Sequence, residues 1–361
     1  MKKSLLLCTL SLIVLLSACK KNDTYITAAP VISPATGAYV LSEGNFGSNN
    51  TKFSYRPVSS GVVVGDFFLQ QNPTHTAGLG DTGSDMIIYG GKLYIIMNVT
   101  SNVTVLNAAN ATFIKQIDFM NGSVPKEPRS AVATRGKIYV TAYDNTVSVI
   151  DTSSLVITKT IAVGPNPEGI AMKGDYLYVA NSGGFNPTPD STVSVVDLNT
   201  ELEIKKITVG LNPQKVEVNS VGDVYVSSYG NFSTIAPVIS VISSATNTLK
   251  TILGSEYSYN HIKIFNDVAY LFNNYGGPGS KCKLLNTLTN TTIRNEFVAD
   301  ATVIDNVYGI NMDEQNGDIY ICDSHDFSAA GTVTCFDKNG IKKFAFSVAP
   351  GVTPNTVLFL R

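Results

Sequence analysis

PEGIAMKGDYLYVANSGGFNPTPDSTVSVVDLNTELEIKKITVGLN, residues 167–212, reads as four short strands in succession. Residues 168–172 form the first, and Lys173-Gly174-Asp175 turns the chain. Residues 176–181 form the second, a Gly- and Pro-containing loop follows, and residues 192–197 form the third. Leu198 to Thr200 turns again into a fourth strand over residues 203–209. Short runs rich in Val, Ile and Tyr, separated by turn residues, are the signature of an antiparallel meander.

The unit recurs. Aligning the second strands aligns Tyr39, Tyr94, Tyr139, Tyr178, Tyr225, Tyr270 and Tyr320, with gaps of 55, 45, 39, 47, 45 and 50 residues. A four-stranded unit at this period is the mark of a β-propeller, because a lone meander cannot cover both its faces and must stack on its neighbours. The fold expected is all-β: a seven-bladed β-propeller with four-stranded antiparallel blades over residues 37–361. The first blade opens at Ala38–Ser42 with a second-type strand, and residues 51–57 and 62–69 supply its next two. Its innermost strand is missing from that end. The stretch Pro354–Leu360 matches the start of each repeat, so the C-terminal strand joins the N-terminal blade and closes the ring, leaving no open edge.

Residues 1–18 read as a targeting segment. Lys2 and Lys3 precede an apolar run from Ser4 to Leu16, and Leu16-Ser17-Ala18-Cys19 ends it like a lipoprotein cleavage site. Cys19 is then the lipidated residue, attaching the protein to a membrane, and residues 19–36 form a polar tether. Removing residues 1–18 takes away two of the 26 basic residues and none of the 28 acidic ones. A net acidic chain without a Lys/Arg cluster has no electrostatic pull on nucleic acid, so none is expected as a partner. Cys282, Cys322 and Cys335 match no zinc spacing. Cys322 and Cys335 fall on adjacent strands, where a disulfide and two buried thiols are both open readings.

Enzyme motifs are missing: there is no GxSxG, HExxH, Walker loop or dinucleotide fingerprint. A non-catalytic protein without a cofactor is expected. His325, flanked by Asp323 and Asp326, is the one local metal-like cluster, and a lone surface histidine is the preferred reading. A metal-dependent propeller lyase or lactonase, and a protein-binding or adhesive module, remain as alternatives.

The second-to-third-strand loops all emerge on one face. They are rich in Asn and Gly and carry Phe46, Tyr143, Phe185, Tyr229, Phe232, Tyr275 and Phe327. Aromatic faces beside amide donors and acceptors suit ligand binding on a loop rim. The connections into each innermost strand add one residue per blade near the axis: Asp85, Arg129, Glu168, Gln214, His261, Tyr308 and Asn355. Arg129 and Glu168 are expected to pair, since an isolated buried charge is costly. Asn181, Asn274 and His325 complete the expected ligand-binding set.

The repeats YVANSGG, STVSVVDLNT and KKITVGLNP resemble the YVTN-type propeller repeat, and the opening AYVLSEGNFGSNN resembles the DUF5074-type propeller lipoproteins of Bacteroidota. The Lys20-Lys21-Asn22-Asp23 tract resembles their surface-export signals in part. The resemblance implies an outer-membrane lipoprotein at the cell surface. Some such proteins capture cobalamin for a TonB-dependent transporter, so it also implies a corrinoid ligand and a transporter partner.

Overall fold

Tyr176–Asn181 hydrogen-bonds on one side to Pro167–Lys173 and on the other to Thr192–Asp197, which in turn pairs with Leu202–Thr208. That sheet is blade IV of a seven-bladed β-propeller. The structure, a computed structural model, describes residues 32–361 apart from 185 and 278. The targeting segment, Cys19, most of the tether and Phe185 therefore lie outside the described residues. Blades II, III, V, VI and VII repeat the four-stranded order, with innermost strands Gly83–Tyr89, Pro128–Thr134, Pro213–Val218, His261–Phe265 and Val307–Asp313.

Both chain ends build blade I. Gly37–Ser42 lies between Lys52–Pro57 and the C-terminal Pro354–Leu360, with Tyr39 opposite Leu358. The outer part of this blade differs from the expected strand over residues 62–69. Val64 makes a single bridge to Tyr55, and Phe67–Gln71 is a short helix. Asp66 caps it by accepting from Leu69 N, and the turn directs both Phe67 and Phe68 inward. A strand would have sent these adjacent phenylalanines to opposite faces.

The blades are held together by apolar layers between sheets. Tyr94, Ile96 and Val105 of blade II pack on Ala131, Ile138 and Val140 of blade III, and Tyr178 and Val195 of blade IV pack on Val216 and Val226 of blade V. Each aliphatic side chain fully buried this way contributes about 1.5–3 kcal/mol. The aligned tyrosines add a second device. Their rings are buried, and several hydroxyls reach the third-to-fourth-strand turn of the next blade. Tyr39 donates to Ala108 O, Tyr139 to Glu201 Oε1, Tyr178 to Asn247 Oδ1, and Tyr225 to Thr287 O and Asn290 Oδ1. Glu201, Asn247 and Asn290 hold the same left-handed turn position. In blade III that position is Leu155, which offers no acceptor, and the Tyr94 hydroxyl is buried without a partner.

Cys282, Cys322 and Cys335 are buried free thiols. Cys322 faces Val333, while Cys335 faces Tyr320, so the two cysteines are diagonal neighbours and unbonded.

Candidate functional site

The seven innermost strands converge on the axis and enclose a channel of about 860 Å³. Its mouth on the face of the second-to-third-strand loops is lined by Tyr229, Asn274 and Tyr275. Of the expected residues, Arg129, Gln214, Tyr229, His261, Asn274, Tyr275, Tyr308 and Asn355 line it.

Three polar networks shape the mouth. Arg129 Nε donates to Glu168 Oε2 at 2.9 Å, and the Tyr143 hydroxyl donates to Glu168 Oε1. The guanidinium sits 5.3 Å from the Tyr143 ring centre. The pairing expected of Arg129 and Glu168 is thus met within the protein. In the second network Asn274 Nδ2 donates to the Tyr229 hydroxyl at 3.1 Å, and that hydroxyl lies 3.3 Å from His261 Nδ1. Burial, aided by the positive charge of Lys215, holds the His261 imidazole well below its ordinary range, so it is neutral at pH 7. In the third, the Tyr308 hydroxyl donates to Glu43 Oε2 at 2.8 Å across the seam between blades VII and I. Burial pushes the Glu43 carboxyl up, against the opposing pull of Arg129.

The axial residues do not form one ring. Asp85 faces Ile96, Lys215 faces Ser227 and His261 faces Phe272, each opposite the residue two beyond its blade's tyrosine. Arg129, Glu168, Gln214, Tyr308 and Asn355 precede that layer by one residue and sit nearer the mouth. In blade II the inserted residue is Ser84 and Asp85 follows it; in blade VI the offset has a different local cause. Blade VI pairs its first two strands in unbroken register, while the other blades carry a bulge at this point, which inserts one residue. Lys215 in the inner layer was therefore not among the expected residues. Glu43, and the Lys263–Glu217 ion pair at 2.8 Å one step deeper, were missed as well. For Lys215, Lys263 and Glu217 the signal was a charged residue in an innermost strand; Glu43, in the loop after Gly37–Ser42, gave none.

Some expected residues lie elsewhere. Asn181 is fully buried, and its carboxamide is committed to Gly164 N, Thr192 Oγ1 and Ser194 Oγ. His325 lies away from the channel lining, with Nδ1 2.9 Å from Asp305 Oδ2 and Nε2 2.9 Å from Thr332 Oγ1. Asp305, Asp323 and His325 offer ligand atoms within 4.8 Å of one another and are the residues able to hold a metal. Asp323 already accepts from the backbone N–H groups of Asp305, Asn306 and His325, which accounts for the loop shape without an ion. Asp326 turns away to accept from Ser328 N and Ala329 N of its own loop.

Around the mouth, aromatic rings stand in solvent. Phe46 is 82% exposed, Phe232 78% and Tyr275 65%. Tyr275 stacks on Phe327 at 5.0 Å, and Phe232 meets Tyr229 edge-on at 5.6 Å. Phe232, Tyr275 and Phe327 have φ of 57°, 66° and 63°. A left-handed backbone at a bulky residue costs roughly 1–2 kcal/mol.

No protein-family model matches the chain, and no curated protein sequence does. Solved structures do resemble it. One is a quinoprotein alcohol dehydrogenase-like protein from Bacteroides thetaiotaomicron, 12% identical over 90% of this chain and 78% of that one, with a TM-score of 0.62. A second is hydrazine synthase of Kuenenia stuttgartiensis, 18% identical over 71% of this chain and 77% of that one, TM-score 0.58. A third is the computationally designed Ika8 protein, 11% identical over 90% and 91%, TM-score 0.57. At these identities the likeness shows the fold alone.

Proposed function

We propose that this protein is a non-catalytic, ligand-binding propeller of the cell envelope, anchored through lipid on Cys19, that takes a bulky and partly apolar ligand on its loop face. The observation that carries this reading is the set of exposed rings at Phe46, Phe232 and Tyr275 around a polar channel mouth. Phe232 and Tyr275 hold their rings in solvent on a left-handed backbone, which costs stability and favours a role in binding. The resemblance to cobalamin-capturing propellers makes a corrinoid the ligand to test first, with a TonB-dependent transporter as the recipient. Such a ligand exceeds the channel and would rest on the rim, its faces on the rings and its amide edge on Gln214, Asn274 and Asn355.

Calorimetry of the mature protein with cobalamin and cobinamide tests this. Binding is expected, and Phe232→Ala or Tyr275→Ala should each weaken it by roughly 1–4 kcal/mol. No heat and no thermal stabilisation at millimolar ligand would remove the corrinoid. Unchanged affinity in both rim variants would remove the rim.

A further inference from the structure

From Glu43 at the mouth down to the layer of Asp85 and Lys215, opposite charges line the channel without pairing. Asp85 and Glu43 belong to the adjoining blades II and I. Lys215 projects from blade V, on the far side of the ring. Lys215 makes no ion pair or hydrogen bond with any other described residue, whereas Arg129 and Lys263 each have a carboxylate partner. Among the described residues, neither Asp85 nor Glu43 has an ion-pair partner within 4.0 Å, unlike Glu168 and Glu217. Asp85 is held by the N–H groups of Met86 and Ala131 at 2.8 and 3.0 Å, and Glu43 by the Tyr308 hydroxyl. Arg129 acts most strongly on Glu43, and Lys263 also acts on Asp85, but Lys215 acts electrostatically on both carboxyls and on His261, so these groups share one field.

Around this space two glycines let the innermost strands of neighbouring blades approach closely. Gly309 lies in the same layer as Lys215, opposite Cys322, and Gly169 directly precedes Ile170 in the corresponding place of blade IV. A Cβ at Gly169 would meet the Gln214 carbonyl at 2.5 Å, and one at Gly309 the Asn355 carbonyl at 2.0 Å. Two of the seven blades therefore present bare backbone here. Ser130 and Thr356 add short side chains to the lining.

A lone anion beside Lys215 would face Asp85 and Glu43, and a lone cation beside those carboxylates would face Lys215. Only a group carrying both charges meets its complement on each wall. We infer that the inner channel is a subsite for a zwitterion, with an ammonium held by Asp85 and Glu43 and a carboxylate held by Lys215. Neutral His261, Tyr229 and Gln214 bound the same space and supply hydrogen bonds without adding charge. The subsite is separate from the aromatic rim, so failure of the corrinoid test leaves it standing.

The test uses the mature protein and a graded series: glycine, 4-aminobutanoate and 6-aminohexanoate, with acetate and ethylamine as single-charge controls. One zwitterion of fitting length should bind by calorimetry and raise the melting temperature. Each control should bind at least about tenfold more weakly. Lys215→Met and Asp85→Asn should each lower the zwitterion's affinity about tenfold or more. Acetate binding as well as the best zwitterion would overturn the inference in favour of a plain anion site. Ethylamine binding equally well would overturn it in favour of a cation site. No binding by any member of the series would overturn it outright, and this arm needs no variant to fold.

Discussion

On the turn face of the disc a polar link joins each blade to its neighbour; on the loop face, links such as Arg129–Glu168 and Tyr308–Glu43 gather at the channel mouth, and the loops beyond it bond within themselves or stand in solvent. The turn-face links run all the way round. Tyr39 donates to Ala108 O between blades I and II, and Gly136 N to the Tyr89 hydroxyl between II and III. Arg135 pairs with Asp175 between III and IV, and Lys173 bonds Ser220 O between IV and V. Ser220 donates to Asp267 between V and VI, Arg294 to Asn339 O between VI and VII, and Arg361 to Asp313 between I and VII. The loop face shows a different economy. Asn231 accepts from Ser233 N and Ile235 N of its own loop, and Phe46, Phe232 and Tyr275 lie exposed. The difference teaches that the turn face is linked right round the ring, whereas the outer loops of the other face leave aromatic rings in solvent.

The largest effect expected is on closure itself. Deleting residues 354–361 removes the innermost strand of blade I and the Arg361–Asp313 link together. The protein should lose its cooperative melting transition, and a truncated chain that melts as the full one does would break the account. Next comes the one strong pair at the loop-face mouth. Arg129→Met leaves buried Glu168 without its cation and should cost about 3 kcal/mol by chemical denaturation. If that cost were near zero, the mouth would be no more rigid than the rim around it.

The tyrosine staples sharpen the comparison within the turn face. Tyr225→Phe removes bonds to Thr287 O and Asn290 Oδ1 and should cost about 1 kcal/mol. Tyr94→Phe removes a hydroxyl with no partner and should be neutral or stabilising. Equal losses in the two variants would mean that the hydroxyl bonds do not staple the blades. The smallest effect belongs to Glu43. Burial raises its carboxyl pKa in the folded state, so the charged form opposes folding above that pKa and ceases to do so once the group is protonated in both states. Glu43→Gln should therefore melt slightly higher than the wild type at pH 7, and the advantage should vanish on acidification towards the ordinary carboxylate range. An advantage that grew at acid pH would reverse the assignment.

Much of the fold was legible in the chain. The strands of blade IV lie within a residue or so of their expected positions, and the aligned tyrosines are the buried centres of their blades. Period-two patterning and turn residues act over a few positions, so local sequence suffices to declare them. The helix at Phe67–Gln71 was not read as one, because its cap Asp66 resembles any turn residue until the core draws both phenylalanines in.

The site was legible only in part. Arg129 and Glu168 were recognisable as a pair because both begin innermost strands, whereas Lys215 was hidden behind Gln214 by a single bulge residue. By itself the sequence determined the blade count, the tyrosine register and the closing strand, since all three follow from a repeated local pattern. Which charges share a layer of the channel was decided by the tertiary structure alone. Glu43, Asp85 and Lys215 are far apart in the chain and meet only where separate blades converge on the axis. The depth of Asp85 and Lys215 there depends on a bulge in each strand that changes no residue type and leaves no mark in composition or period.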